Sequence, residues 1–230
     1  MKKHRIFRFF TAMTACIAIL LLLNLPAYLK IRSGKIASME SDDYFAFRST
    51  DVVEGEIRYA LGCALEKHNG IWSTHLTSDE SDKRYYVLWQ PSGHMILYAT
   101  TLPEEYPILD QLVKETLAYA DSVKVYQQSG DYEDLKPPVT TLRIQGEVKM
   151  LSSSLEDSFR IWYEENVGES FETQCAAVYL SRTGFTRYGI CSKIGVVLAF
   201  CSLLLGFASF RLKRRAQSSV KQIPQQNKGS

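Results

Sequence analysis

Residues 9–29, FFTAMTACIAILLLLNLPAYL, contain no charged side chain, and neither do residues 194–210, IGVVLAFCSLLLGFASF. At about 1.5 Å per helical residue the first run spans roughly 31 Å, enough for the hydrocarbon core of a bilayer. The second run is shorter, and it reaches back to Tyr188 when Lys193 snorkels to the surface. Both predict transmembrane helices, at residues 9–29 and 188–210. A cleavable signal sequence is the competing reading of the first run. Its apolar stretch exceeds the usual h-region, however, and no small-x-small site follows cleanly, since Leu25 stands two positions before Ala27. An uncleaved anchor is therefore expected, with Asn24 and Pro26 in its outer turns.

Between the runs the pattern changes to short periods. From Val53 to Leu65 apolar and polar residues alternate, which predicts one long strand, with a helix through Ile57, Leu61, Ala64 and Leu65 as competitor. Residues 69–84 are polar and predict a loop. Tyr85-Tyr86-Val87-Leu88-Trp89 and Met95-Ile96-Leu97-Tyr98-Ala99 flank Pro91-Ser92-Gly93 and predict a β-hairpin. Pro103 and Pro107 open a helix to about Ala120, with Ile108, Leu109, Leu112, Val113 and Leu117 on one stripe. Residues 139–151 alternate again and predict a strand. Ser154 with Asp157 resembles a capping box for a helix burying Leu155, Phe159, Trp162 and Tyr163, with Gly168 as its stop. Cys175 to Leu180 supplies a last strand. The expected fold class is α+β: a mainly antiparallel sheet with two helices on one face, inserted between two transmembrane α-helices.

Charge adds orientation. All 25 acidic residues lie between Glu40 and Glu172, so residues 30–187 carry 16 Lys+Arg against 25 Asp+Glu, a net −9. The remaining segments carry 11 basic residues and no acid, giving the overall +2. Lys2, Lys3, Arg5 and Arg8 flank the first run, and Arg211, Lys213, Arg214 and Arg215 flank the second. The excess of Lys and Arg at the outer flanks places both termini in the cytoplasm and residues 30–187 outside it, in a multi-pass cell-membrane protein. Tyr28 and Tyr188 stand where interfacial aromatics are expected. The acidic domain argues against nucleic acid as a partner, and the tail, residues 211–230, reads as a disordered basic segment suited to anionic lipids. Gly195, Ala199, Ser202, Gly206 and Ser209 recur at spacings of four and three and form one small-residue face, matched by Thr11, Ala15 and Ala18. That face serves either a membrane-protein partner or the packing of the two spans against each other.

Candidate chemistry is sparse. His68, His75 and His94 form no H-E-x-x-H, and there is no C-x-x-C, G-x-S-x-G elbow, P-loop or dinucleotide fingerprint. No catalytic, cofactor or metal residues are assigned. Ser152-Ser153-Ser154 reads as a helix cap. Glu104-Glu105 and Glu164-Glu165 are neighbours that diverge on a helix, and Asp79 to Asp82 reads as a solvated acidic loop. Cys63 and Cys175 either bridge in an oxidising compartment, closing a long loop, or remain buried free thiols. Trp89 with Tyr85 or Tyr98 on an exposed hairpin face is the candidate ligand surface.

Glu54-Gly55-Glu56-Ile57, the Tyr85-Tyr86-Val87 hairpin and Ile144-Gln145-Gly146-Glu147-Val148-Lys149-Met150, set between two spans, carry a resemblance. The chain resembles uncharacterised two-pass membrane proteins of Firmicute-type bacteria with a domain of unknown function between the spans. The resemblance implies a bacterial cell-membrane location and no catalytic residue. The expected function is a membrane-anchored extracytoplasmic binding or interaction module, non-enzymatic. The alternatives are an accessory subunit of a transporter or envelope complex, and an extracytoplasmic hydrolase with dispersed site residues.

Overall fold

The structure, a computed structural model, describes residues 2–40, 42–68, 71–73, 82–90, 92–129, 135–168 and 170–221. The chain divides into two units, Lys30–Phe185 and the two terminal segments Met1–Leu29 and Thr186–Ser230.

In the terminal unit, α1 runs Lys2–Leu22, α2 Leu25–Arg32 and α6 Phe185–Lys221. Phe9–Arg32 and Phe185–Arg211 are long and apolar enough to cross a membrane, with mean hydropathies of 2.0 and 2.2. Asn24 accounts for the break between α1 and α2. Its side-chain amide donates to the Leu21 carbonyl at 3.1 Å, closing a turn, and Pro26 then fits the first turn of the new helix. Helix α6 continues through Lys221, past the expected end at residue 210, so the first half of the basic tail is helical rather than disordered.

Much of the small-residue face is used within this unit. Gly195 lies so close to α1 that a Cβ there would stand 3.1 Å from Leu21 Cβ and 3.2 Å from the Leu22 amide nitrogen. Ser202, Ser209 and Ala18 are buried, and Ser202 donates to the Leu198 carbonyl at 2.8 Å. A Cβ at Gly206 meets nothing within 4 Å. Gly195→Leu is therefore expected to cost about 1–3 kcal/mol through overpacking, while Gly206→Leu is tolerated. Thermal stability of the full chain in mild detergent checks this, and equal shifts for the two variants would contradict it.

The Lys30–Phe185 unit is one eight-stranded sheet with helices on both faces. Its strands are β1 Ala37–Ser38, β2 Val52–Ile57, β3 Ala60–His68, β4 Ile71–Ser73, β5 Lys83–Trp89, β6 Met95–Thr100, β7 Leu142–Met150 and β8 Cys175–Arg182. The order across the sheet is β1-β2-β7-β8-β6-β5-β3-β4. The sheet is mixed rather than mainly antiparallel: β1 pairs with β2 and β6 with β8 in parallel, and the other pairs are antiparallel. The parallel β6–β8 pair requires a long crossover, which the chain makes through α3 (Tyr106–Ser129), β7, α4 (Ser153–Asn166) and α5 (Phe171–Gln174).

The expected single strand from Val53 to Leu65 is two strands on opposite sides of this order, joined by Arg58 and Tyr59 alone. Three Cα steps from Ile57 to Ala60 reach at most about 11 Å. A flat sheet would hold β2 and β3 five strand spacings apart, roughly 24 Å. The sheet therefore curls until its two ends approach, and one inner cluster draws side chains from both ends: Val53 and Ile57 from β2, and Ala60 from β3. Register shifts within β3 against β5 account for the lost alternation there, since Ala60 and Cys63 face the inner cluster while Ala64 and Leu65 both face the outer one.

The two helices lie on opposite faces, not one. Helix α3 contributes Tyr106, Leu109 and Leu112 to the inner cluster, with Tyr86, Leu88, Ile96 and Tyr98 of the hairpin. Helix α4 contributes Leu155, Phe159 and Tyr163 to the outer cluster, with Tyr85, Val87, Met95 and Leu97. The α4 cap is Ser152, whose Oγ accepts from the Leu155 amide at 3.4 Å, two residues before the expected Ser154. At the other end Gly168, at φ +76, lets its amide donate back to the Tyr163 carbonyl at 3.3 Å. Gly62 admits α4 closely, since a Cβ there would meet Trp162 Cζ2 at 2.8 Å.

Helix α3 is also tied to the chain that follows it. The Glu115 carboxylate accepts from the Val139 amide at 2.9 Å, the Thr140 amide at 2.9 Å, the Thr140 hydroxyl at 2.8 Å and the Gln111 side chain at 2.9 Å. The Gln111 bond first, and then those from Thr140, hold its pKa down from 4.5 to about 2. The folded pKa is depressed, so this contribution to stability is complete above about pH 4.5 and is lost as pH falls through about 2. Glu115→Gln is thus expected to melt below the parent at pH 6, with the gap narrowing between pH 4.5 and 2. A pH series of melting temperatures in detergent checks this, and a constant gap would refute it.

Candidate functional site

Where the curled sheet brings its ends together, it leaves a half-open groove of about 190 Å³ lined by Met39, Glu40, Tyr44, Glu56, Arg58, Tyr59, Trp89 and Gln90. Three separate segments build it. The first is the turn after β1. There the Asp42 carboxylate accepts from the Ser38 amide at 2.7 Å and the Asp42 amide donates to the Ser38 carbonyl at 3.2 Å, so the chain leaves the sheet edge abruptly. The second is the two-residue link itself, which has no room to retreat. The third is the end of β5, where the Trp89 amide donates to the Tyr59 carbonyl at 3.2 Å.

Gln90 fastens the first segment to the third. Its Nε2 donates to the Asp42 carbonyl at 2.7 Å and its Oε1 accepts from the Tyr44 amide at 3.1 Å. Beside it His94 Nδ1 lies 2.7 Å from Asp43 Oδ1, and the His94 ring stands 4.4 Å from that of Phe45. Asp43 also caps the 3-10 turn Tyr44–Ala46 through the Phe45 amide at 2.9 Å. That amide bond above all holds the Asp43 carboxyl below its usual value, desolvation opposes it, and the contact with His94 adds to it.

The groove has an aromatic wall and a charged rim. The Tyr59 and Trp89 rings meet edge to face at 5.2 Å and 75°, and the Tyr59 ring is backed by Tyr119 at 6.0 Å. Burial raises the Tyr44 hydroxyl above its ordinary pKa. Arg58 Nη2 lies 3.3 Å from Glu56 Oε2, with the Arg58 side chain 60% exposed. The Glu40 carboxylate stands at the rim. No Ser, Thr, Cys, His or Lys is among the lining residues, so the surface is equipped for stacking and charge recognition.

Two further polar clusters, partly buried, lie between α3 or the turn before it and the sheet. In one, Arg84 Nε lies 2.7 Å from Glu66 Oε1 and its Nη1 3.3 Å from Asp110 Oδ2, Tyr86 donates to Asp110 Oδ1 at 2.8 Å, and the guanidinium sits 4.4 Å over the Tyr106 ring. In the other, Glu105 accepts from the Tyr98 hydroxyl at 2.7 Å and from Arg182 Nε at 2.7 Å. Both join side chains of α3 or the turn before it to the sheet, which is the work of structural fasteners; Glu66 Oε1 has the Arg84 charge beside it but no hydrogen bond among the described residues.

Of the three residues expected to form a ligand surface, only Trp89 lines the groove. Tyr85 and Tyr98 are buried, 3% and 0% exposed, and belong to opposite faces of the sheet, because both faces of the hairpin are covered. Tyr59, Glu56, Arg58 and Glu40 line the groove beside Trp89 and are not among the residues that the sequence singles out. The sequence carries no local signal for them, since the alternation runs unbroken through Arg58 and Tyr59. Cys63 and Cys175 are free thiols. They stand on β3 and β8 with β5 and β6 between them, and the register sets Cys175 five residues along β8 from Leu180, the residue level with Cys63, so they lie well beyond the limit of about 7 Å for a bridge. Burial raises both thiols to about 12. Gly195, Ala199, Ser202, Gly206 and Ser209 lie on α6, with Gly195 against α1 as described above. His75, the side chain of His68 and residues 79–81 of the acidic run lie outside the described residues. Among the described residues no group of three or more His, Cys, Asp or Glu side chains has the geometry to hold a metal ion. Compared with models of protein families, with curated proteins and with solved structures, the chain finds no match.

Proposed function

We propose that this chain is a membrane-anchored binding module whose ligand surface is the seam groove. In this reading α1–α2 and α6 span the cell membrane, both termini lie in the cytoplasm, and the curled-sheet domain stands outside. The basic residues from Arg211 onward then meet anionic lipid of the inner leaflet. The partition of charge, −9 over residues 30–187 against basic flanks, supports the orientation. The observation that carries the function is the groove: an aromatic corner and a charged rim assembled from three segments by the curl of the sheet. The accessory-subunit alternative loses part of its motivation, since Gly195 on the small-residue face is already occupied within the chain.

A photo-crosslinking residue at Arg58 of the full chain in native membranes tests the reading. The expected result is a discrete adduct that disappears when Trp89 is changed to Ala. The same residue at Val139, 89% exposed and away from the groove lining, should give none. No adduct at Arg58, or equal adducts at both positions, would overturn it. Reporter fusions at Ser230 and near Ser92 check orientation, with cytoplasmic and external readouts expected in that order.

A further inference from the structure

The groove lies beside an unfinished sheet edge. Strand β1 pairs only with Val53 and Glu54 of β2, and the Met39 amide donates to the Glu54 carbonyl at 3.2 Å. The chain then turns away. Alternation along β2 points the backbone groups of Glu56 to the same side as those of Glu54, and no described strand pairs with Glu56 there. Glu56 and Arg58 are both groove residues, so the edge and the groove are continuous.

The chemistry of the groove favours a cation. The Trp89 and Tyr59 rings meet at 75°, a corner that offers one ring face and one ring edge rather than a flat platform. Cations settle on aromatic faces within about 6 Å of the centroid. Among the described residues the Glu40 carboxylate has no partner, and Glu56 is shared only with the largely exposed Arg58. An incoming cation can displace that pair at little cost, because exposed pairs are weak. The net −9 of the domain attracts the same sign of ligand. A volume of about 190 Å³ accepts one long side chain, not a folded partner.

We propose that the seam groove receives an ammonium or guanidinium group carried on an extended peptide, which continues the track of β1 along the free edge of β2. This rests on the reading of the groove as the ligand surface. The aromatic corner and the carboxylates of Glu40 and Glu56 take the cation, while the Glu56 backbone takes the peptide main chain.

The full chain in micelles of an uncharged detergent is titrated with acetyl-tetralysine amide, acetyl-lysine amide, a tetraglutamate peptide and a neutral tetrasaccharide. Tryptophan emission is read in the parent and in a Trp89→Phe variant, so that the signal from Trp89 is the difference. The expected result is a Trp89 response to tetralysine, and to acetyl-lysine amide at least about tenfold more weakly. Glu40→Gln, at an exposed position, should weaken tetralysine roughly fivefold, and raised salt should weaken it further. Equal affinity for the free amide and the peptide would overturn the strand-edge part. A response to the saccharide or tetraglutamate without one to tetralysine would overturn the cation and leave the groove reading standing. No Trp89 response to any probe would overturn both.

Discussion

Arg84→Met is expected to destabilise the protein by about 3–5 kcal/mol, although methionine fills much of the same volume. Arg84 is 6% exposed and Glu66 3% exposed, and their nitrogen and oxygen stand 2.7 Å apart. Removing the guanidinium leaves the Glu66 carboxylate buried without a counter-charge, and that uncompensated charge is the main cost. Asp110 keeps the Tyr86 hydroxyl and faces solvent with about half of its side chain, so it suffers less. The second loss is the guanidinium over the Tyr106 ring, at the start of α3. Chemical denaturation of the full chain in detergent measures the effect. Adding Glu66→Gln to Arg84→Met should recover a large part of it by removing the stranded charge. If the double variant is no more stable than the single one, the buried pair is not the source of the loss.

The same cluster shows why some of the fold was legible in the sequence and some was not. The β5–β6 hairpin follows from two apolar runs about a Pro-Ser-Gly turn, and α4 from its stripe of Leu155, Phe159 and Tyr163, because both signals are local. The partners of those elements are not local. Tyr85-Tyr86-Val87-Leu88 and Met95-Ile96-Leu97-Tyr98 do not alternate in polarity, which is what a strand covered on both faces looks like. A hairpin with one exposed face would carry Tyr85 and Tyr98 at the surface and both helices on one side, whereas this one is covered on both faces. The groove was hidden for a related reason. Val53 to Leu65 alternates well enough to pass for one strand, and nothing in the pattern says that Arg58 and Tyr59 turn the chain from one end of the sheet to the other. That turn depends on β7, β8, β6 and β5 filling the order between β2 and β3, a consequence of pairing rather than of propensity.

Curling also divides the apolar residues into an inner layer around α3 and an outer layer under α4, and the outer layer gives the second large effect. Phe159→Ala is expected to cost about 3–5 kcal/mol. Phe159 is 0% exposed, and its ring meets those of Phe171 at 5.0 Å and Tyr163 at 6.3 Å. Phe171 and Tyr163 also meet each other, at 5.7 Å, so truncation opens a cavity in the middle of a three-ring cluster. That cluster fastens α4 and α5 to the sheet, and its loss should be felt there first. Hydrogen exchange is expected to speed at 153–166 and 171–174 by more than it does across 106–129. Leu109→Ala, at 0% exposure on the inner face, should cost about 2–5 kcal/mol and reverse the order, loosening α3 more than α4. The sheet between the two layers keeps either cavity from collapsing into the other. If both variants loosen both helices equally, the layers unfold as one unit and their separation has no energetic meaning.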